Sequence, residues 1–135
     1  MLQWVPDYSV GVKELDEQHK KIIEIINRIT KLIEENNYSD QDVQDIVKEL
    51  SDYADYHFTN EEIYFREFDF EQTAAHIQEH EKYRNKMRSI LADHTPERSK
   101  ETLIELDDFI NKWWVQHINH VDKEYTQCFH EHGLY

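Results

Sequence analysis

A chain of 135 residues with 15 lysines and arginines against 29 aspartates and glutamates carries a net charge of −14, long enough for one domain with its own core and repulsive to phosphate backbones and anionic lipid. This charge argues against nucleic acid and membrane surfaces as partners; only 2 glycines and 2 prolines argue against many short strands, and no apolar run is long enough to span a membrane. The single cysteine precludes an internal disulfide and, with no apolar leader visible at Met1–Pro6, points to a reducing, cytoplasmic setting.

Residues 1 to about 15 hold tryptophan and proline but no clean period, and read as an ordered arm. From Asp16, a candidate N-cap, Ile22, Ile23, Ile26, Ile29 and Ile33 recur at helical spacing until Asn36-Asn37. Ser39, with Asp42 three residues on, caps a second helix whose stripe runs Val43, Ile46, Val47, Leu50, Tyr53, Ala54, Phe65 and Phe68. A third begins near Asp69 and continues through Ile77, Tyr83, Met87, Ile90 and Leu91. Thr95-Pro96 restarts the chain as N-cap and first helical residue, and the fourth stripe is Leu103, Leu106, Ile110, Trp113 and Val121. Four amphipathic helices with short connections predict an all-α, up-down-up-down antiparallel bundle over about 16–132, one domain spanning 1–135 with its N-terminal arm.

Each stripe has a polar interruption: His19 in the first helix, His57 and Glu61 in the second, His76 and His80 in the third, His117 in the fourth. Residues four apart lie only about 40° apart around a helix, so His57/Glu61 and His76/His80 each project as a chelating pair. A lone buried histidine is more often a hydrogen-bonded core residue, but here all four helices would have to bury unpaired polar groups at once. His94, His130 and His132 read as solvated. The donors are nitrogen and oxygen only, suited to iron, zinc, copper or manganese, and five histidines fit two adjacent ions sharing carboxylates. A second acid is expected beside Glu61. Asp122 is the candidate, yet it lies about 140° from His117 on an ideal helix while His120 is nearer; a π-bulge would bring Asp122 inward, and spacing alone does not decide.

With these residues the chain resembles the hemerythrins, most closely the short bacterial and archaeal kind (bacteriohemerythrins). The resemblance starts at Trp4, Tyr8-Ser9-Val10-Gly11-Val12 and Leu15-Asp16-Glu17-Gln18-His19. It continues through His57-Phe58-Thr59-Asn60-Glu61-Glu62 and His76-Ile77-Gln78-Glu79-His80, and closes with Trp113, His117-Ile118-Asn119-His120-Val121-Asp122-Lys123 and Tyr125. It implies two iron ions with an oxo or hydroxo bridge: one held by His76, His80 and His117, the other by His19 and His57, with Glu61 and Asp122 bridging. Counting ligands on that assignment leaves an open position on the iron of His19 and His57, where the family binds dioxygen reversibly and small anions such as azide in the ferric form. Ile22, Ile23, Phe58, Trp113, Trp114 and Ile118 lie near the ligands in sequence and could wall such an oxygen pocket.

Three positions depart from the family pattern. Trp113-Trp114 stands where Trp-Leu is usual, Phe65 where methionine is common, and Phe70-Glu71 where Tyr-Pro is common. The leucine commonly lines the oxygen pocket, so Trp114 either reduces its volume or merely repacks the bundle. The resemblance thus implies a non-enzymatic oxygen-binding protein for carriage, storage or delivery. The alternatives are a di-iron redox enzyme (peroxidase, oxidase or nitric-oxide handling) and a stand-alone oxygen or redox sensor. No glutamate lies three residues before any histidine, which disfavours ferritin-like oxidase chemistry. No protein partner is indicated.

Overall fold

The computed structural model describes residues 1–135 and contains helices and turns but no strand. Four helices, α1 (Lys13–Glu35), α2 (Asp40–Glu67), α3 (Thr73–Ala92) and α4 (Ser99–Gln116), form the expected antiparallel bundle, with α1 and α3 each packed against α2 and α4. After α4 the chain makes a π-helical turn over His117–Val121 and a 3-10 turn over Asp122–Tyr125, then ends in the short α5 (Thr126–Glu131).

Local chemistry accounts for the boundaries, some of which differ from those the spacing predicts. α1 begins at Lys13, and Asp16 is not its cap. Its carboxylate instead accepts hydrogen bonds from the Ser9 hydroxyl at 2.5 Å and the Val10 N–H at 2.8 Å, pinning the arm to α1. The arm is further stitched down by Asn27, which exchanges two hydrogen bonds with the Leu2 backbone. Asn36 ends α1 in the left-handed conformation, φ 48°. The Ser39 cap is present as a full capping box with Asp42. α3 starts at Thr73 rather than near Asp69, because Asp69 itself takes a left-handed φ of 51° in the connecting turn. Thr95-Pro96 opens a 3-10 turn, Pro96–Arg98, and α4 follows from Ser99.

His94 is not solvated, contrary to the sequence reading. Its Nε2–H donates to Asp40 at 2.9 Å and its Nδ1 accepts from the Thr102 hydroxyl at 2.7 Å, while Ser99 donates to the same Asp40 oxygen at 2.7 Å. This knot ties the start of α2 to the segment after α3 and the start of α4. His130 is half-buried and bonds the Gly11 carbonyl at 2.7 Å; His132 is exposed.

The interior is layered along the bundle axis. A large apolar cluster, including Ile22, Ile26, Leu50, Phe58, Leu106, Trp114 and Ile118, fills the end bearing His94. A smaller one, Val10, Val12, Leu15, Phe65, Phe70, Tyr125 and Phe129, closes the other end. Along α1 the sequence runs Leu15, His19, Ile22, and along α2 Phe58, Glu61, Phe65, so the polar residues form a layer between the two clusters.

Candidate metal centre

The four helices deliver their polar interruptions to that one layer. His19, His57, Glu61, His80 and Asp122 are 0% exposed, and His76 and His117 are 2% exposed. His57/Glu61 and His76/His80 sit one turn apart on α2 and α3, as the spacing requires. Asp122 joins them through the π turn, where its N–H donates to the His117 carbonyl five residues back. One extra residue in that turn carries residues five apart to the same face, so Asp122 points inward and His120 is exposed.

All five imidazoles aim Nε2 at the two carboxylates. Asp122 presents Oδ1 to His76 at 2.9 Å and His117 at 2.8 Å, and Oδ2 to His19 at 2.9 Å. Glu61 Oε1 lies 3.2 Å from His57 and 3.3 Å from His80. Potential ligand atoms therefore fall into two groups, each lying within 4.8 Å: Glu61, His76, His80, His117 and Asp122, and His19, His57, Glu61 and Asp122. Both carboxylates belong to both groups.

These contacts are not an ordinary hydrogen-bond network. Of the five, only the His76–Asp122 approach has hydrogen-bond alignment; Nε2 of His19, His57, His80 and His117, both Glu61 oxygens and Asp122 Oδ2 are buried without a hydrogen-bond partner. For His57 and His80 the reason is explicit. Each Nδ1 donates its proton elsewhere, to Gln18 Oε1 at 2.7 Å and to Glu62 Oε2 at 2.7 Å. With Nδ1 protonated and burial keeping His57 neutral, its Nε2 lone pair faces a carboxylate oxygen, two acceptors together, and His80 meets Glu61 only with a second proton or a cation at Nε2. A shared cation satisfies both, and the donor set of nitrogen and oxygen atoms suits one. The residues fit a buried metal site.

The electrostatics agree. Burial disfavours ionised Glu61 and Asp122, yet the surrounding histidines hold both well below the usual carboxylate range. Burial also disfavours a charged His80, but Glu61 and Glu62 outweigh it and push its pKa up to about 9. At His57 and His117 burial dominates and lowers the pKa. The layer is thus anionic and holds its charge balance only by binding protons or metal.

Of the suggested pocket residues, Ile22, Phe58, Trp114 and Ile118 are buried in the cluster adjoining the centre. Ile23 instead turns toward the arm, beside Leu2 and Trp4. The stripe placed Trp113 inside, but it is half-buried and stacked on His117 at 4.3 Å, while Trp114 is the fully buried one. The Trp114 ring lies 6.0 Å from His57, 6.3 Å from His117 and 5.4 Å from Phe58, with which it stacks. Sequence reasoning missed Gln18, Glu62 and Arg84. Gln18 and Glu62 adjoin ligand candidates in sequence, where helical spacing carries no sign of contact with another helix.

Comparison with known proteins bears on this arrangement. The family model for the hemerythrin HHE cation binding domain matches residues 10–128. Bacteriohemerythrin of Clostridium acetobutylicum is 29% identical over 127 residues, covering 93% of this chain and 98% of that protein. A hemerythrin-like protein of Naegleria gruberi is 29% identical over 122 residues, covering 90% and 88% respectively. In fold, the chain superposes on crystal structures of wild-type hemerythrin and of a leucine-to-alanine hemerythrin variant, each with a TM-score of 0.79 at 23% identity; 95% of this chain is covered in both, against 97% and 96% of those chains.

Proposed function

The chain belongs to the hemerythrin family, and from that premise we propose that it binds dioxygen reversibly at a di-iron centre. His76, His80 and His117 would hold one iron, His19 and His57 the other, and Glu61 and Asp122 would offer carboxylate oxygens to both. The observation that supports this most is the pair of overlapping donor groups, five atoms and four, with both carboxylates common to them. Two divalent ions side by side require anionic charge between them, and Glu61 and Asp122 are the only carboxylates in either group.

A ferrous pair bound there supplies the two electrons that reversible dioxygen binding draws on. The protein's part is to hold the ions, leave a position open and keep water out. The donor count leaves that position on the His19/His57 side, where Trp114 lies 6.0 Å from His57. Ile22, Phe58 and Ile118 complete the wall with apolar side chains that carry no proton donor of their own. Every candidate ligand is at most 2% exposed, which suits a small gas and small anions rather than an organic substrate. The reading is therefore of a binding protein, not an enzyme. Iron analysis tests it: two irons per chain are expected, and a single metal in a fully folded protein that still binds dioxygen contradicts the assignment.

A further inference from the structure

The two hydrogen-bonded imidazoles differ in what stands behind them. Nδ1–H of His80 donates to the Glu62 carboxylate, and Nδ1–H of His57 donates to the neutral Gln18 amide, both at 2.7 Å. Nδ1 of His19, His76 and His117 has no partner in the chain. Gln18 is 5% exposed and Glu62 8% exposed, so neither bond is diluted by bulk water. Glu62 is in turn held by Arg84, whose Nη1 lies 3.2 Å from the same oxygen that serves His80. Arg84 is itself fixed by Asp55 at 3.0 Å and Glu81 at 2.7 Å, and its guanidinium rests over the Phe58 ring at 5.2 Å. Phe58 stacks on His80 at 4.0 Å. His80 is thus gripped on its Nδ1 edge by an anchored carboxylate and on one face by an aromatic ring.

A carboxylate accepting the distal N–H of a metal-bound imidazole fixes the ring's tautomer and orientation and raises its basicity; a neutral amide orients the ring with much less effect on its donor strength. We propose that Glu62, anchored by Arg84, is a positioning residue that makes the His76/His80/His117 position the stronger metal site, and that Gln18 keeps the His19/His57 position the weaker. This rests on the two-metal reading above. The asymmetry places the weaker donor at the ion that must also accept an exogenous ligand.

The test is titration of the metal-free protein with Co2+, followed by its visible absorption. Wild type should show two binding steps. Glu62→Gln keeps an acceptor of the same shape for His80 but removes the charge. It should weaken the tighter step by at least about 10-fold, as loss of outer partners of metal ligands typically does, and leave the weaker step unchanged. Gln18→Glu should tighten the weaker step and narrow the gap between them. Arg84→Gln should move the tighter step by less, and add nothing in the Glu62→Gln background. Asp108→Asn, which removes an exposed charge paired with Lys112 on α4 and outside this chain of contacts, should change neither step. Helix content by circular dichroism shows that each variant is folded, and Gln18→Glu decides the matter if Glu62→Gln is not. Two steps of unchanged affinity in folded Glu62→Gln and Gln18→Glu overturn this inference alone. A wild-type protein that binds fewer than two ions overturns it together with the two-metal reading.

Discussion

Trp114 offers the sharpest perturbation, because it stands where the family usually carries leucine and lies beside the proposed open position. It is 0% exposed and packs against Phe58, Tyr83, His57 and Trp113, with ring centroids 5.0–6.0 Å away. A buried tryptophan removes about 150–250 Å² from water, worth roughly 4–6 kcal/mol at about 25 cal/mol per Å². Its Nε1–H lacks a well-aligned partner, the buried Tyr83 hydroxyl being its neighbour, so losing it offsets at most about 1 kcal/mol. Trp114→Ala should therefore cost about 3–5 kcal/mol, the usual range for such truncations. With an unfolding entropy of about 2.1 cal/mol/K per residue over 135 residues, that lowers Tm by roughly 10–18 °C. The same truncation leaves a cavity next to His57, since cores relax only partly. Azide should then bind the ferric protein faster by stopped flow, and autoxidation should quicken as water gains the same access. An unchanged azide rate with a clear loss of stability would refute the reasoning. Trp114 would be a packing residue, and access would lie elsewhere, for which the α2–α3 groove floored by Ala54, Phe58 and Tyr83 is the candidate.

Asp122→Ala should lose at least one iron by metal analysis, whereas His120→Ala should keep both, since Asp122 is 0% exposed and His120 faces solvent. Metal loading should raise Tm: at 100 times the dissociation constant, binding to the native state adds about 2.7 kcal/mol, or roughly 10 °C for a chain of 135 residues. The Asp40 knot predicts a pH dependence. Hydrogen bonds from Ser99, Gln44 and His94 hold the Asp40 pKa below its ordinary value. Its stabilising contribution is therefore complete above the unfolded-state pKa, about 3.9, and is lost as pH falls through the depressed native value. Urea unfolding of wild type and Asp40→Asn should differ at pH 7, and the gap should narrow below about pH 4; a gap constant with pH rules the mechanism out.

The bundle is legible in the sequence because helix packing leaves a 3.6-residue imprint on every element. The isoleucines of α1 at positions 22, 26 and 29 predict its buried face and are all 0% exposed. Periodicity fails where the backbone departs from an α-helix. Between His117 and Asp122 an ideal helix favours His120, and only the π turn, a backbone feature without a side-chain signature, turns Asp122 inward. It fails also where apolar residues run consecutively. In Trp113-Trp114-Val115 any of the three fits an apolar stripe, and packing against Phe58 and Tyr83 rather than spacing selects Trp114. Contacts between helices leave no periodic mark either. Glu62 and Gln18 meet His80 and His57 across helix interfaces, and His94 meets Asp40 54 residues away.

The most direct measurement of the central claim is the visible absorption spectrum of the reduced, iron-loaded protein, recorded before air, after air and after degassing. Reversible dioxygen binding at the two-iron centre predicts a band that appears with air and disappears on degassing over repeated cycles, at an iron content of two per chain. A band that never forms, or a single exposure to air that converts the protein to a ferric form unresponsive to degassing, would contradict it.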